Sequence, residues 1–571
     1  MMTGISRTRG SALLVNYAGY PSSPNSLMPD NGLASLAAQL RAAGHDVKIL
    51  DYATVSTMRR LVPEFLHDRL QSTLATFESG SKAKQMLAFL ELKALDAALG
   101  VVRRVEEKKI AREIAAEVEN TGADLVGFKL WNGDGFSGPM RMAGYLKRRF
   151  PGLTVSAGGP QVKFFKDAIF GITRNFDALA IGDGEPMIVP LMEGALKHDL
   201  FDVPNIYYLK DGVPIFSGNA MVGNMDELPF PIYDRDVYPA MQGDEKVKLL
   251  VVEDRRGCEN VCRFCVHPGI SGTDPRSKTP GRIADEFESA IARYGISNFR
   301  LGGSSSPARL LYGIASEIEK RRMEVVWTAF ARIKDSDPLK FEYLKRMGLF
   351  SLFFGIESGN RRVLEEMNKK VTPERIEEVI KAAREAGLFT VGSVIYPAPF
   401  DTPGSRAETF ALLERAKPDS VPLQFMGIYP GTEYSRDPGK YNFEIVYPSW
   451  FSRALARIGL KKKAEYHDPE VTRYMIEYKI NLLFPPRYWK PLPWKINGLG
   501  YKAFAAETQS FYDQLKGAGI LTMLTDEEAM MAHLGGYAPG EFVEVAFRNG
   551  FTGNWRGMAE MAARVNCSKK P

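Results

Sequence analysis

Cysteine is scarce in this chain. Four of 571 residues are cysteine, too few for a disulfide framework, and free thiols in so long a chain point to a reducing compartment. Long apolar runs are missing too. No stretch reaches the roughly 20 residues of a membrane span. The run Ser11-Ala12-Leu13-Leu14-Val15 is too short for the core of a signal peptide and reads as a first buried strand. Charge of one sign is nowhere concentrated. The net charge is +6, without a basic block or an arginine stripe, which argues against nucleic acid as the main partner. Internal repeats and low-complexity tracts are absent. What remains is ordinary: 45% hydrophobic and 25% charged residues suit a globular protein, and the length calls for two or three domains. A cytoplasmic enzyme is the expectation.

Three of the four cysteines stand together in Arg255-Arg256-Gly257-Cys258-Glu259-Asn260-Val261-Cys262-Arg263-Phe264-Cys265. Thiolates are soft ligands that suit iron–sulfur clusters and zinc. A structural zinc site wants four ligands, usually as two separated pairs. Here there is one trio, and Cys567 lies far away in a polar tail. Three thiolates on a cubane 4Fe–4S cluster leave one iron open to a substrate or cofactor. A zinc knuckle completed by His267 is the competing reading.

On either side of this loop, strands alternate with helices. In the N-terminal half the patterns predict strands at Ser11–Tyr17, Asp46–Leu50, Ala123–Trp131, Leu153–Ser156 and Ala178–Ile181, with helices at Asn31–Ala43 and Met140–Arg149. This is the order of a Rossmann-like, doubly wound parallel sheet, whose ligands sit beyond the carboxyl ends of the strands. The loops there are Ala18–Asn25, Asn132–Ser137, Ala157–Val162 and Gly182–Pro186. A helical insertion at 54–120 interrupts the sheet. Residues 203–245, with short strands at Ile206–Leu209 and Val213–Phe216, form a joining segment stiffened by Pro229 and Pro231. From Val247 to Met426 six strands alternate with helices, as in a partial (β/α)6 TIM-type barrel. The cysteine loop follows its first strand, at the end where such barrels place their chemistry. Residues 441–571 read as helical and aromatic-rich, with Tyr447, Trp450, Phe451, Tyr488, Trp489, Trp494 and Tyr501 as candidate pocket lining. The domains expected are therefore 1–202, 246–440 and 441–571.

The spacing C-x3-C-x2-C, with an aromatic residue before the last cysteine, resembles the signature of radical S-adenosylmethionine (SAM) enzymes. The resemblance implies that Cys258, Cys262 and Cys265 hold a 4Fe–4S cluster, that SAM binds the open iron, and that Phe264 packs near its adenine. Gly302 and Gly303 stand where the family carries a Gly-Gly-Glu-like segment, but the third residue is Ser304, so the carboxylate is absent. Gly355-Ile356-Glu357-Ser358-Gly359 with Met367-Asn368-Lys369 resembles the strand-four motif, which places Glu357 and Ser358 near SAM. A helix N-terminal role for Glu357 stays open. Tyr396-Pro397-Ala398-Pro399 departs from the segment relatives carry near adenine. Arg332 is a SAM or substrate contact, or a surface salt bridge.

Ala157-Gly158-Gly159-Pro160 and Ile181-Gly182-Asp183-Gly184-Glu185-Pro186 resemble loops of the cobalamin domain in the B12-dependent subgroup, and Leu228-Pro229-Phe230-Pro231 resembles its interdomain link. Cobalamin contacts are implied at Tyr20, Asn132, Gly158, Gly159, Pro160, Gly182, Gly184 and Glu185. The motif Asp-x-His-x-x-Gly is missing, so base-off cobalamin without an axial histidine is expected. The activity implied is methyl transfer from SAM through methylcobalamin to a carbon of a small-molecule or peptide substrate. Alternatives are cyclisation, ring rearrangement or oxidation on the same scaffold, non-radical methylation of an aromatic carbon, and a regulator without turnover. A one-electron donor of flavodoxin or ferredoxin type and a monomeric state complete the expectation.

Overall fold

The computed structural model describes residues 9–478, 489–522 and 524–567; Tyr488 and Pro485-Pro486 lie outside them. The N-terminal unit contains β1 (Ser11–Asn16), α1 (Asn31–Ala42), β2 (Asp46–Asp51), α2 (Val55–Leu61), α3 (Glu64–Ser79), α4 (Lys82–Thr121) and β3 (Leu125–Lys129). It continues with α5 (Asp134–Arg149), β4 (Thr154–Gly158), α6 (Pro160–Phe165), β5 (Ala178–Ala180), α7 (Glu185–Lys197), β6 (Ile206–Lys210) and β7 (Val213–Phe216). The sheet order is β2-β1-β3-β4-β5-β6-β7. The first five strands pair in parallel, and β6 and β7 add antiparallel at the edge. The two short strands of the joining segment thus belong to this sheet.

All six residues of β1 are buried, because helices cover both faces of a central parallel strand. Ala12 and Leu14 pack into one core with α1 and α7. Leu13 and Val15 point the other way, into a core with α4 and α5. The insertion is α2 to α4. Its last helix runs 40 residues, about 60 Å at 1.5 Å per residue. Helix α5 starts at Asp134, six residues before the predicted Met140, and keeps Pro139 inside. Proline removes the amide that would bond the Gly135 carbonyl; Trp131 N–H donates to that carbonyl instead, at 3.1 Å.

The central unit follows as β8 (Leu250–Val252), β9 (Arg255–Arg256), α8 (His267–Ser271), β10 (Arg276–Ser277), α9 (Pro280–Tyr294), β11 (Asn298–Leu301), α10 (Ala308–Arg321) and β12 (Val326–Ala331). Then come α11 (Phe341–Arg346), β13 (Leu349–Glu357), α12 (Arg361–Glu366), α13 (Pro373–Glu385), β14 (Phe389–Ile395), α14 (Pro403–Ala416) and β15 (Leu423–Gln424). Its six strands are all parallel, in the order β15-β14-β13-β12-β11-β8. The short antiparallel pair β9–β10 brackets the cysteine loop.

The C-terminal part comprises α15 (Glu433–Arg436), β16 (Phe443–Ile445), α16 (Trp450–Arg457), α17 (Pro469–Glu477), β17 (Trp494–Ile496), α18 (Tyr501–Gly517), α19 (Asp526–Leu534), α20 (Pro539–Phe542), α21 (Arg548–Thr552) and α22 (Trp555–Asn566). Its rings divide. Tyr447, Trp494 and Tyr501 are buried, while Trp450 and Phe451 are exposed. Helix α19 plugs the floor of the barrel. Asp526 is fully buried and takes hydrogen bonds from Arg300 Nε (3.0 Å) and from the Thr328 hydroxyl. Around it, Met530 and Met531 pack on Val247, Leu249 and Val326 at the strand starts. No described helix is long and apolar enough to cross a membrane.

Candidate active site

The cysteine loop is shaped by its own backbone. Gly257 has φ +77°, and a Cβ there would lie 2.6 Å from the Asp274 carbonyl oxygen, so only glycine fits. Cys258 N–H donates to Gly272 O at 3.2 Å and Cys265 N–H to Cys262 O at 3.0 Å. The loop is also pinned to the segment after α12. Arg263 N–H donates to Met367 O (3.1 Å) and Asn368 Nδ2 to Val261 O (2.9 Å). The Met-Asn-Lys half of the strand-four motif thus holds the loop in place.

The three cysteines are unbridged, and beyond burial the charges of Cys258 and Cys262 each raise the Cys265 thiol. Burial pushes the Cys265 thiol up to about 11 and raises that of Cys262, against the pull of Lys369 on both and of Arg332 on Cys262. Donors are gathered around the sulfurs: Asn260 Nδ2 lies 3.9 Å and Arg332 Nη1 3.7 Å from Cys258 Sγ, and the His267 backbone amide bonds Cys265. Among the described residues no group of three or more His, Cys, Asp or Glu is placed to hold a single metal ion. Three soft thiols spread over one loop, with N–H donors aimed at sulfur, fit an iron–sulfur cubane.

Next to the loop, Gly302 N–H donates to Val252 O at 2.9 Å, and a Cβ on Gly302 would lie 2.5 Å from Val251 Cγ1. Gly303 N–H (2.7 Å) and Ser306 Oγ (2.6 Å) donate to the fully buried carboxylate of Asp254. Burial raises that carboxyl above its usual range. Ser304 Oγ donates to Gly257 O at 2.6 Å, tying the glycine pair to the cysteine turn. Glu357 ends β13 with φ +65°, where the register against β14 shifts. Such a conformation in a non-glycine residue is a frequent mark of a working site. Its partner is Lys369, Nζ to Oε1 at 2.6 Å, and that amine also lies 5.8 Å from the Phe264 ring. Asn360, rather than Glu357, caps α12, its side chain accepting from Val363 N–H. Ser358 is buried against Thr409, 3.2 Å away. Arg332 is largely buried beside Cys258 and Asp335, not on the surface.

A cleft of about 590 Å3 runs between the first sheet and the cysteine loop. Gly158, Gly159, Pro160, Gly182, Gly184 and Glu185 border it from the sheet, and Gly257, His267, Gly302 and Ser304 from the barrel. On the sheet side Leu33 and Leu36 of α1, Ile188 and Leu191 of α7, and Gly127, Ala157 and Ala180 give it an apolar wall. Small residues make room there. A Cβ on Gly184 would lie 2.8 Å from Leu36 Cδ2; one on Gly159 (φ +94°) would lie 2.9 Å from Lys129 Cγ. A group with an apolar side and a polar side fits such a lining.

Tyr20 and Asn132 are not among the residues bordering the cleft. Tyr20 is packed against the insertion and the barrel floor, its hydroxyl without a hydrogen-bond partner. Asn132 sits in the turn leading into α5, its carbonyl accepting from Gly135 N–H. Sequence reasoning missed the clamp across the cleft. Arg256 pairs with Glu185 (2.6 and 2.9 Å), Glu253 (2.6 Å) and Asp183 (3.5 Å), and Asp183 also binds Arg276 (2.5 Å). The signal was present as opposite charges on two loops expected to face each other. Lys163 also lines the cleft, its amine held below the usual lysine range by burial.

Residues 252–413 match the family model of the radical SAM superfamily. An uncharacterized methyltransferase of Pyrococcus horikoshii is 27% identical over 285 residues, 49% of this chain; the match spans 61% of that relative, less than two thirds of its length. In fold the chain is similar to the radical S-adenosylmethionine methyltransferase TsrM of Kitasatospora setae, solved with cobalamin and a 4Fe–4S cluster. The TM-score is 0.62 at 16% identity, covering 98% of this chain and 99% of that one. It is also similar to the cobalamin-dependent S-adenosylmethionine radical enzyme OxsB with aqua-cobalamin, TM-score 0.58 at 14% identity, covering 95% and 72%. A Rossmann-like domain, a partial radical SAM barrel and a helical C-terminal part are the shared architecture.

Proposed function

We propose that this protein is a cobalamin-dependent radical SAM methyltransferase acting on a carbon of a small-molecule or peptide substrate. The observation that carries this reading is one cleft bordered on one side by Gly257, Val266 and His267, which flank the three-cysteine loop, and on the other by glycine-rich loops and apolar side chains of α1 and α7. Cys258, Cys262 and Cys265 would hold the cluster. Phe264, Gly302, Gly303, Ser304, Arg332, Glu357 and Ser358 would surround SAM. Gly158, Gly159, Pro160, Gly182, Gly184 and Glu185 would border cobalamin, with Tyr20 and Asn132 behind the loops that shape its site. When bound, the cluster and SAM supply one-electron chemistry and cobalamin supplies methyl transfer.

The chain's own part is placement and exclusion of water. The Arg256 clamp closes the two domains on each other. The Lys369–Glu357 pair fixes a buried charge beside Phe264. Arg332 and Asn260 aim N–H donors at Cys258. Leu33, Leu36, Ile188 and Leu191 keep the sheet side of the cleft dry. Base-off cobalamin without an axial histidine is part of this reading. A flavodoxin- or ferredoxin-type donor and a monomer complete the reading.

The test is electron paramagnetic resonance of the reduced, iron-loaded protein with and without SAM. An open iron predicts a changed cluster signal on SAM addition and no signal in Cys262→Ala. An unchanged spectrum would overturn the proposal.

A further inference from the structure

Over its whole length the chain mixes its charges, but residues 445–464 carry five basic side chains and no acidic one. They run from the end of β16 through α16 towards α17. Helix α16 is turned inside out. On the surface of a globular protein a helix faces its apolar side to the core and its polar side to water. Here Ser452 is the buried residue, its hydroxyl donating to Glu470 Oε2 of α17 at 2.6 Å. Arg453 Nη1 also turns inward, donating to the carbonyls of Tyr447 and Pro448 at 2.7 and 2.9 Å. The apolar residues point out: Trp450 is 73% exposed, Phe451 57%, Ile458 69% and Leu460, just beyond the helix, 74%.

Trp450, Ala454 and Ile458 stand four apart, so they form one row along the helix, with Phe451 beside it. The two rings meet edge-on, centroids 5.9 Å apart at 78°. Arg457 flanks this row, and Lys462 and Lys463 follow Leu460. All three cations are exposed, and no acid among the described residues pairs with them. Lys461 turns back instead, its amine 2.8 Å from Glu470 and 3.9 Å from the centre of the Tyr447 ring. The Tyr447 hydroxyl donates to Asp468 at 2.9 Å, and that of Tyr466 to Ile428 O at 2.7 Å. The base of the segment is thus fastened by hydrogen bonds, and it presents apolar side chains among unpaired cations to the outside.

We propose that this face docks the protein on the surface of a bilayer bearing anionic lipid headgroups. Exposed aromatic and aliphatic side chains next to lysine and arginine, without acidic neighbours, are the composition of a segment that lies in the headgroup layer. Tryptophan settles where headgroups meet hydrocarbon, and cations beside it are drawn to the negative lipid surface. A protein partner would have to supply pockets and acids matched to four protruding side chains, whereas a bilayer takes them as they stand. The contact is with the surface alone, since no described helix is long and apolar enough to cross a membrane. This surface is independent of the enzyme reading above.

The experiment is flotation of the full holoprotein with vesicles of phosphatidylcholine alone and of phosphatidylcholine mixed with phosphatidylglycerol. Binding is expected to the mixed vesicles only, and it should fall as salt rises, because charges are screened beyond about 10 Å at 0.1 M. Each cation at an anionic surface is worth about fivefold in affinity. Arg457→Gln, Lys462→Gln and Lys463→Gln together should therefore weaken binding roughly a hundredfold. Trp450→Gln with Phe451→Gln should weaken it at least tenfold, while Leu339→Gln, at a lone apolar residue 91% exposed, should leave it unchanged. With brominated lipid in the mixed vesicles, tryptophan fluorescence should be quenched on binding, and the quenching should be lost in Trp450→Phe, which still binds. All substituted positions are exposed, and circular dichroism of each variant checks its fold. No binding to mixed vesicles at low salt, equal binding to both kinds of vesicle, or wild-type affinity in the charge and aromatic variants overturns the proposal. Salt-sensitive binding of an acidic protein without vesicle binding would also overturn it and give the face to a protein partner.

Discussion

Replacing Arg256 by Met should loosen the cleft. The guanidinium side chain is 10% exposed and faces Glu185 (8%) and Glu253 (30%) at 2.6 Å each. Removing it leaves two carboxylates without their main cation. Breaking a buried pair from one side costs about 3–5 kcal/mol. Glu253 is partly solvated, so the lower end, about 3 kcal/mol, is the figure to use. At 1.4 kcal/mol per tenfold that is roughly a hundredfold rise in local opening. The assay is native-state hydrogen exchange followed by mass spectrometry. Reporter amides are Ile188, bonded to Gly184 O at 2.9 Å, and Val222, bonded to Asp183 at 2.9 Å. Amides within α9 and α13, away from the cleft, serve as controls. Exchange at the reporters should rise about a hundredfold while the controls hold. A rise of less than about threefold, under 1 kcal/mol, would refute the claim that this network fastens the two domains.

Alanine at Cys258, Cys262 or Cys265 should each abolish iron binding and the brown absorbance, whereas Cys567→Ala, at an exposed position after α22, should keep both. Gly159→Ala puts a Cβ 2.9 Å from Lys129 Cγ at φ +94°; cobalamin retention after gel filtration should fall severalfold while iron content holds. Glu528 supplies a pH dependence. Its carboxyl is raised in the fold, so between about pH 4.5 and 7 the folded state binds more protons than the unfolded one, and stability falls as pH rises through that window. The effect is at most about 3 kcal/mol. Glu528→Gln should therefore gain in melting temperature over wild type at pH 8 relative to pH 5; equal gaps at the two pH values would show that the carboxyl is not held neutral.

Much of the fold was legible because it rests on short-range pattern. β1 reads as continuous apolar sequence and is buried on both faces. Helix α9 opens with Thr279 and Pro280 and closes at Gly295, start and stop signals that are local in sequence. The cysteine loop was legible because spacing alone presents its thiols. What escaped depends on partners distant in sequence. Pro139 argued against a helix that a tertiary bond from Trp131 N–H makes tolerable. β7 shows three exposed residues of four, so nothing in its pattern announces a sheet edge. Arg256 and Glu185 are 71 positions apart, and only the docking of two domains pairs them. Tyr20 had a loop position suited to a cofactor, but Leu66, Leu70 and Leu92 of the insertion give it an apolar bed.

The central claim is that one cleft holds a cluster and a cobalamin together. It is tested most directly by purifying the full chain anaerobically with cobalamin supplied, then measuring iron, sulfide and cobalamin with an absorbance spectrum. About four irons and about one cobalamin per chain are predicted, with iron lost and cobalamin kept in the triple alanine variant of Cys258, Cys262 and Cys265. Iron without cobalamin would contradict the account, leaving a radical SAM barrel beside a cleft that binds something else.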